Sequence, residues 1–255
     1  MPRPIEGDSF ELLGVKINAQ PFAAILDRVL HAPDSGERLS VHFATAHSLV
    51  EAKDRPELRA ALAAGVVEPD GMPLVWLGRR AGFPVERVCG PDFLPAVVEH
   101  GVASERTHYF YGGAPGVPEA LAARLESKFP GMRVAGTFSP PYRQLDADED
   151  LDIVASINAA SPDYVWVGLG APKQDLWVAE HRKVLDASVL LAVGAAFDFH
   201  AGTRRRAPVW MQRAGVEWLH RLVSEPRRLA GRYVFGNLRF AAYVLAERRR
   251  GRRSV

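Results

Sequence analysis

The chain has 255 residues, 47% hydrophobic and 24% charged, enough apolar material for one large domain or a domain with an appendage. Its single cysteine, Cys89, excludes an intrachain disulfide and suits a reducing compartment. The N-terminal MPRPIEGDSF lacks the apolar core of a secretory leader, and apolar runs such as Val189-Leu190-Leu191-Ala192-Val193 are far short of a membrane span. The net charge of +2 hides a split: residues 203–255 hold 14 Arg against Glu217, Glu225 and Glu247, while residues 1–202 are net acidic. That asymmetry points to an acidic partner for the tail: nucleic acid, an anionic membrane surface or a phosphorylated ligand.

Strand-like and helix-like runs alternate along the first 202 residues. Phe10 to Ile17 reads as a strand, Pro21 to Leu30 as a helix, Leu39 to Ala44 as a strand and Ser48 to Ala64 as a helix. Val66 to Glu68 is a short strand before Pro69-Asp70-Gly71, followed by helices over Pro73 to Ala81 and Pro91 to Gly101. His108 to Tyr111 is a strand, Pro115 to Phe129 a helix, Arg133 to Thr137 a strand and Asp148 to Ala160 a helix. Tyr164 to Val167, Lys173 to Leu185 and Ser188 to Val193 continue as strand, helix and strand. This order predicts a Rossmann-like α/β fold, a largely parallel sheet with helices on both faces. After Gly202 only helices are suggested, over Pro208 to Val223 and Pro226 to Arg249, with each proline at a first-turn position. The reading is an α/β body over residues 1–202 and an Arg-rich helical appendage over 203–255.

In an open α/β sheet, ligands bind at the C-terminal strand ends. Asp70 sits there, on the turn after a strand. Three glycine turns belong to the same edge: Tyr111-Gly112-Gly113, Gly168-Leu169-Gly170-Ala171-Pro172-Lys173-Gln174, and Val193-Gly194-Ala195-Ala196-Phe197-Asp198. Glycine lets backbone approach a ligand, and a helix start offers N–H groups to phosphate. None is a Walker loop or a dinucleotide fingerprint, so together they suggest a nucleotide-type pocket of another kind. Lys173 and Gln174 open a helix beside it. The acidic run Asp146-Ala147-Asp148-Glu149-Asp150-Leu151-Asp152 reads first as helix-start carboxylates favoured by the dipole, with an Asp-x-Asp divalent-ion site of a metal-dependent sugar transferase as the lesser reading. No histidine pair has zinc spacing. In the tail, Trp210, Ala214, Trp218 and Leu222 share one helical face. That stripe fits core packing with Arg on the wet side, or an interfacial helix with Arg on lipid phosphates. A nucleic-acid reading fits the charge but lacks a reading module, and the acidic body opposes it.

Several ordered blocks carry a resemblance: Pro69-Asp70-Gly71-Met72-Pro73, Arg87-Val88-Cys89-Gly90-Pro91-Asp92, Tyr111-Gly112-Gly113, Gly168 to Asp175, Phe197 to Gly202, Arg206-Ala207-Pro208, Glu217-Trp218, Arg221-Leu222 and Glu225-Pro226-Arg227-Arg228. Over residues 10 to 245 the sequence resembles the WecG/TagA/CpsF glycosyltransferases. The resemblance implies an inverting, metal-independent bacterial enzyme with no cofactor. Such an enzyme moves a sugar from a UDP-sugar to a polyprenyl-diphosphate-linked saccharide at the cytoplasmic face of the plasma membrane, in polysaccharide or teichoic acid synthesis. It implies Asp70 as general base and Arg87 and Gln174 as pocket residues. It also implies a C-terminal segment that engages an anionic membrane and helps close the site, and members that self-associate. Gly112, Gly113, Gly170, Lys173 and Asp198 are expected around the nucleotide. Arg206, Arg221, Arg228 and Arg232 are expected on either the UDP or the lipid diphosphate. One block departs. The family usually shows Thr-x-Asn after its second strand, where this chain has Phe43-Ala44-Thr45-Ala46-His47-Ser48. Either Thr45 or His47 stands where the Asn is expected, and both are candidate donor-sugar contacts. A nucleotide- or nucleic-acid-binding module without transfer chemistry is the alternative from another class.

Overall fold

A computed structural model describes the backbone of residues 3–5, 8–224 and 226–252, and the side chains of residues 8–212, 214–224, 231, 235–247 and 249. The chain opens with strands β1 (Arg3–Ile5), β2 (Ser9–Leu12) and β3 (Val15–Asn18), an antiparallel sheet in the order β1-β2-β3. The sequence pattern reads one strand from Phe10 to Ile17; the structure folds it into a hairpin. Leu13 and Gly14 both take positive φ, at 54° and 81°, the requirement of a two-residue turn that follows strand twist. Leu13 is a poor residue for that conformation, and its burial holds it there.

The body follows as helix α1 (Phe22–Ser35), β4 (Leu39–Ala44), α2 (Ala46–Asp54), α3 (Pro56–Ala63), β5 (Val66–Pro69), α4 (Met72–Arg80) and α5 (Gly90–Gly101). Next come β6 (Thr107–Gly112), α6 (Val117–Lys128), β7 (Arg133–Phe138), α7 (Ala147–Ala160), β8 (Tyr164–Gly168), α8 (Lys173–His181), β9 (Val189–Ala192) and α9 (Ala196–Ala201). The single helix expected over Ser48 to Ala64 is two, because Arg55 leaves helical geometry ahead of Pro56. Helix α9 lies in a segment whose glycines suggest only a turn.

Strands β4 to β9 form one six-stranded parallel sheet in the order β5-β4-β9-β8-β6-β7. Strands β8 and β9 are apolar and almost wholly buried, and β4 is wholly buried with Ser40 and His42 among its apolar residues, as strands covered on both faces must be. One face packs on α1, α5, α6 and α9 through Ile25, Phe93, Phe110, Leu121, Trp166 and Phe197. The other packs on α7 and α8 through Tyr111, Ile157, Val165 and Val178, and on α2, α3 and α4 through Leu49, Leu58 and Leu74. This is the Rossmann-like architecture the alternation predicts.

The C-terminal segment forms α10 (Val209–Arg213), α11 (Glu217–Ser224) and α12 (Pro226–Arg252). The helix expected from Pro208 to Val223 is broken at Gly215, whose φ is 73°. Helix α12 lies along α2. Its Phe240 and Val244 are buried in the cluster that holds Leu49 and Val50. Tyr243 donates to Asp54 Oδ1 at 3.1 Å, and Arg239 pairs with the same carboxylate. No helix among the described residues is long and apolar enough to cross a membrane.

One buried acid titrates outside its normal range. Glu68 on β5 is fully buried; its Oε1 accepts from Asn18 Nδ2 at 2.7 Å, and its Oε2 has no partner among the described residues. Burial raises its carboxyl to about 7, against the pull of Asn18. A folded-state value above the unfolded one means the contribution to stability is full below about 4.5 and lost as pH rises through about 7. Glu68→Gln keeps the Asn18 contact without the charge. The variant is expected to be more stable above pH 7 by about 2–3 kcal/mol, and to lose the fall in Tm between pH 5 and 8 expected of the wild type. Identical pH–Tm curves for the two proteins would refute this.

Candidate active site

The C-terminal strand ends gather the candidate residues, and each is placed by its own backbone. At the end of β5, the Asp70 and Gly71 amides both donate to Ala44 O of neighbouring β4, at 3.0 and 3.2 Å. That locks the Asp70 turn beside Thr45. Glycine suits this close approach, since a Cβ on Gly71 would sit 3.2 Å from the Thr45 Cα. Thr45 caps α2: its Oγ1 accepts from the Ser48 amide, and Ser48 Oγ accepts from the Thr45 amide at 3.1 Å. His47, in the first turn of α2, lies 3.7 Å from Glu51 and against Gly236 of α12. The two residues at the departing block thus both serve the docking of α2.

Arg87, on the segment between α4 and α5, grips Asp70 twice. Its Nε donates to the Asp70 carbonyl at 2.7 Å and its Nη2 to Asp70 Oδ1 at 3.1 Å. No hydrogen bond from a described residue reaches Oδ2. Nη2 also donates to Glu217 Oε2 at 3.0 Å, from the start of α11. Glu217 Oε1 accepts from Arg206 Nε at 3.2 Å, and Arg206 closes on Asp92 with its other two nitrogens. Cys89 Sγ donates to Asp92 Oδ2 at 2.9 Å. Asp70, Arg87, Glu217, Arg206 and Asp92 therefore form one chain of alternating charge.

The electrostatics follow from that chain. Burial lifts the Asp70 carboxyl above its usual range; Arg87 opposes this, Glu217 adds to it, and Arg221 opposes it. Burial also pushes Asp92 up, but its bonds to Arg206 and Cys89 outweigh that and hold it low. Burial, together with the Asp70 charge, pushes the Cys89 thiol well up, which makes it an inert core thiol and not a nucleophile.

The glycine turns occupy the same edge. The Gly113 amide donates to Gly168 O at 3.0 Å, and a Cβ on Gly112 would collide with Gly168. Strands β6 and β8 thus end in contact, with bare backbone at the rim. Gln174 is buried and uses its amide to brace two turns: Oε1 accepts from Gly170 N at 3.0 Å and Nε2 donates to Ala192 O at 2.8 Å. Lys173 is exposed, with Nζ 5.2 Å above the Tyr142 ring. Beyond β9 a cavity of about 500 Å³ is lined by Ala195, Phe199, Arg204, Arg205, His220, Arg221 and Ser224. The Arg221 guanidinium lies 5.9 Å above Phe199. Asp198 sits beside the cavity, 3.4 Å from Arg204, and accepts from Thr203. Arg228 and Arg232 belong to α12, and their side chains lie outside the described residues.

The carboxylate and the basic cavity are neighbours. Strand β5 is two strands from β9, roughly 10 Å across the sheet, and α11 bridges the gap. Its Glu217 touches Arg87, and Arg221, four residues on, lines the cavity on the same helical face. The structure adds Glu217, Asp92, Arg204 and Arg205 to the candidate set. The sequence held two signals for Glu217: its place in the Glu217-Trp218 block, and an acid four residues before Arg221 in a tail with only three acids. The acidic run after β7 serves its helix. Asp146 caps α7 in a box with Glu149, and Asp150 lies 3.0 Å from His181. Among the described residues, no group of three or more His, Cys, Asp or Glu side chains is placed to hold a metal.

Comparison with known proteins adds two findings. The family described as "Glycosyl transferase WecG/TagA/CpsF family" matches residues 10–254. Two relatives carry the name N-acetylglucosaminyldiphosphoundecaprenol N-acetyl-beta-D-mannosaminyltransferase. The one from Bacillus spizizenii is 30% identical over 180 residues, covering 70% of this chain and 68% of its own. The one from Bacillus subtilis is 31% identical over 180 residues, covering 69% and 67%.

Proposed function

We propose, since the chain belongs to the WecG/TagA/CpsF family of glycosyl transferases, that it moves an N-acetylmannosamine-type sugar from a UDP-sugar to a polyprenyl-diphosphate-linked N-acetylglucosamine acceptor, with inversion. The reading rests on the relatives' named activity and, within the molecule, on one observation. Asp70 holds a carboxylate oxygen open at the sheet edge, beside a cavity lined by Arg204, Arg205 and Arg221.

The chemistry is a single displacement. An acceptor hydroxyl attacks the anomeric carbon as the bond from that carbon to the phosphate oxygen breaks. The hydroxyl proton passes to Asp70 Oδ2, which must lie within about 3 Å. The negative charge grows on the leaving diphosphate, where fixed cations stabilise it best because they need no reorganisation. Arg221, Arg205 and Arg204 supply that charge; the glycine rims at Gly112, Gly113 and Gly170 let the nucleotide approach the backbone. Thr45 and the Asp70 turn wall the donor sugar. Gln174 acts by position, holding the β8 and β9 turns together. The exposed Trp210, Trp218 and Val223, set among arginines, suit an interfacial helix pair on an anionic membrane that carries the acceptor lipid.

The test is a panel of UDP-sugars offered to the full-length protein with polyprenyl-diphosphate-linked N-acetylglucosamine in anionic vesicles. Product is expected with UDP-N-acetylmannosamine, with the opposite anomeric configuration to the donor, together with co-sedimentation of the protein. Turnover of no UDP-sugar in the presence of acceptor would overturn the reading.

A further inference from the structure

Glu217 has no part in the displacement, yet its side chain is the more enclosed of the two acids on Arg87, at 12% exposure against 24% for Asp70. One nitrogen, Arg87 Nη2, serves both carboxylates, at 3.1 Å from Asp70 and 3.0 Å from Glu217. The second oxygen of Glu217 takes Arg206, which in turn holds Asp92 on α5. A single carboxylate of the C-terminal segment thus ties an arginine of the sheet edge to an arginine of the connecting chain. We infer that Glu217 is the positioning residue of the transfer site: seating α11 sets Arg87 against Asp70 and, one turn further on, brings Arg221 to the cavity. This rests on the function proposed above.

The physical reason lies in how Arg87 divides its charge. While Glu217 takes part of it, Asp70 is only half-paired and remains the better base. Without Glu217, Arg87 is free to turn wholly to Asp70, which stabilises the ionised carboxylate and weakens it as a base. Among the described residues, the charged and titratable groups facing Asp70 are Arg87 and the Cys89 thiol from the connecting segment, and Glu217 and Arg221 from α11. Glu217→Gln removes one negative charge from that set and leaves the side chain's shape.

Two measurements on the full-length protein decide the matter. In Glu217→Gln the acid limb of the kcat/KM–pH profile is expected to move to lower pH by about half a unit or more, with the plateau down roughly 10- to 100-fold. A merely structural contact would lower the plateau and leave the limb in place, so an unmoved limb overturns the positioning role. In Glu217→Ala, amide hydrogen exchange is expected to rise together in residues 217–224 and in 86–92. Exchange unchanged in either segment overturns the coupling. If the wild type turns over no UDP-sugar, the function fails on that ground, while the exchange measurement still decides whether Glu217 couples the two segments.

Discussion

Asp70→Asn is expected to fold and to lose transfer by about 10²- to 10⁴-fold in kcat, the range for removing a positioned general base. Asparagine has nearly the same shape. Its Oδ1 still accepts from Arg87 Nη2, and the Arg87 bond to the Asp70 carbonyl is backbone and does not change. What disappears is the capacity of Oδ2 to take a proton. Stability is not expected to fall. The Asp70 carboxyl is raised in the folded state, because burial outweighs Arg87. Its contribution is therefore full below the unfolded value of 3.8 and lost as pH rises through the folded one. At neutral pH the substitution removes a charge the fold disfavours. Near-wild-type turnover in a folded Asp70→Asn protein would remove Asp70 as the base.

The same shift sets the pH dependence. The base works when ionised, so wild-type kcat/KM is expected to fall on the acid side, with its inflection above the ordinary aspartate range. Any residual activity in Asp70→Asn should lack that limb.

How far the sequence led depends on the length scale of each signal. The parallel sheet was legible because β8 and β9 are short apolar runs spaced by helical periods, with no polar alternation to confuse with a surface strand. Strand β4 alternates Leu39, Val41 and Phe43 with Ser40 and His42, yet is buried throughout. Asp70 and the glycine turns were legible because strand ends on one edge are a consequence of that topology. The breaks at Leu13-Gly14 and Gly215 were not. Each is a local conformational choice that tertiary contacts enforce, as the close approach of Gly215 to Met72 illustrates. The break at Arg55 lies inside a run read as one helix, although Pro56 sets it locally. Gln174 read as a pocket side chain, and the structure shows its amide occupied by Gly170 and Ala192. The contacts of Glu217 were hidden for a related reason. Its partners are 130 and 11 residues away, and no periodicity encodes a contact of the longer kind. His47 and Gly236 make a similar pair: the helix that carries Gly236 read as a wet basic appendage, while Phe240 and Val244 seat it in the core against α2.

Arg87→Gln is expected to cost about 10²- to 10³-fold in kcat/KM, comparable to losing one preorganised donor at a charged transition state, and about 1–3 kcal/mol of stability from an incompletely buried ion pair. The direction of its pH effect is the discriminating part. Among the described residues, Arg87 is the one group bonded to both Asp70 and Glu217. Without it, the Glu217 charge acts on Asp70 with no described cation bonded to both, and Asp70 is pushed further up. The acid limb should therefore move to higher pH, opposite to the shift expected for Glu217→Gln. Damage to the fold alone would give both variants the same sign or none. Arg87→Lys separates charge from geometry. A lysine keeps the positive charge near Asp70, so its acid limb should lie close to the wild type. Its compact ammonium lacks the planar fork that spans the Asp70 carbonyl and two carboxylates at once, so kcat should stay depressed. A Lys variant with both wild-type limb and wild-type kcat would show that only the charge of Arg87 matters, and that Glu217 has no arginine geometry to set.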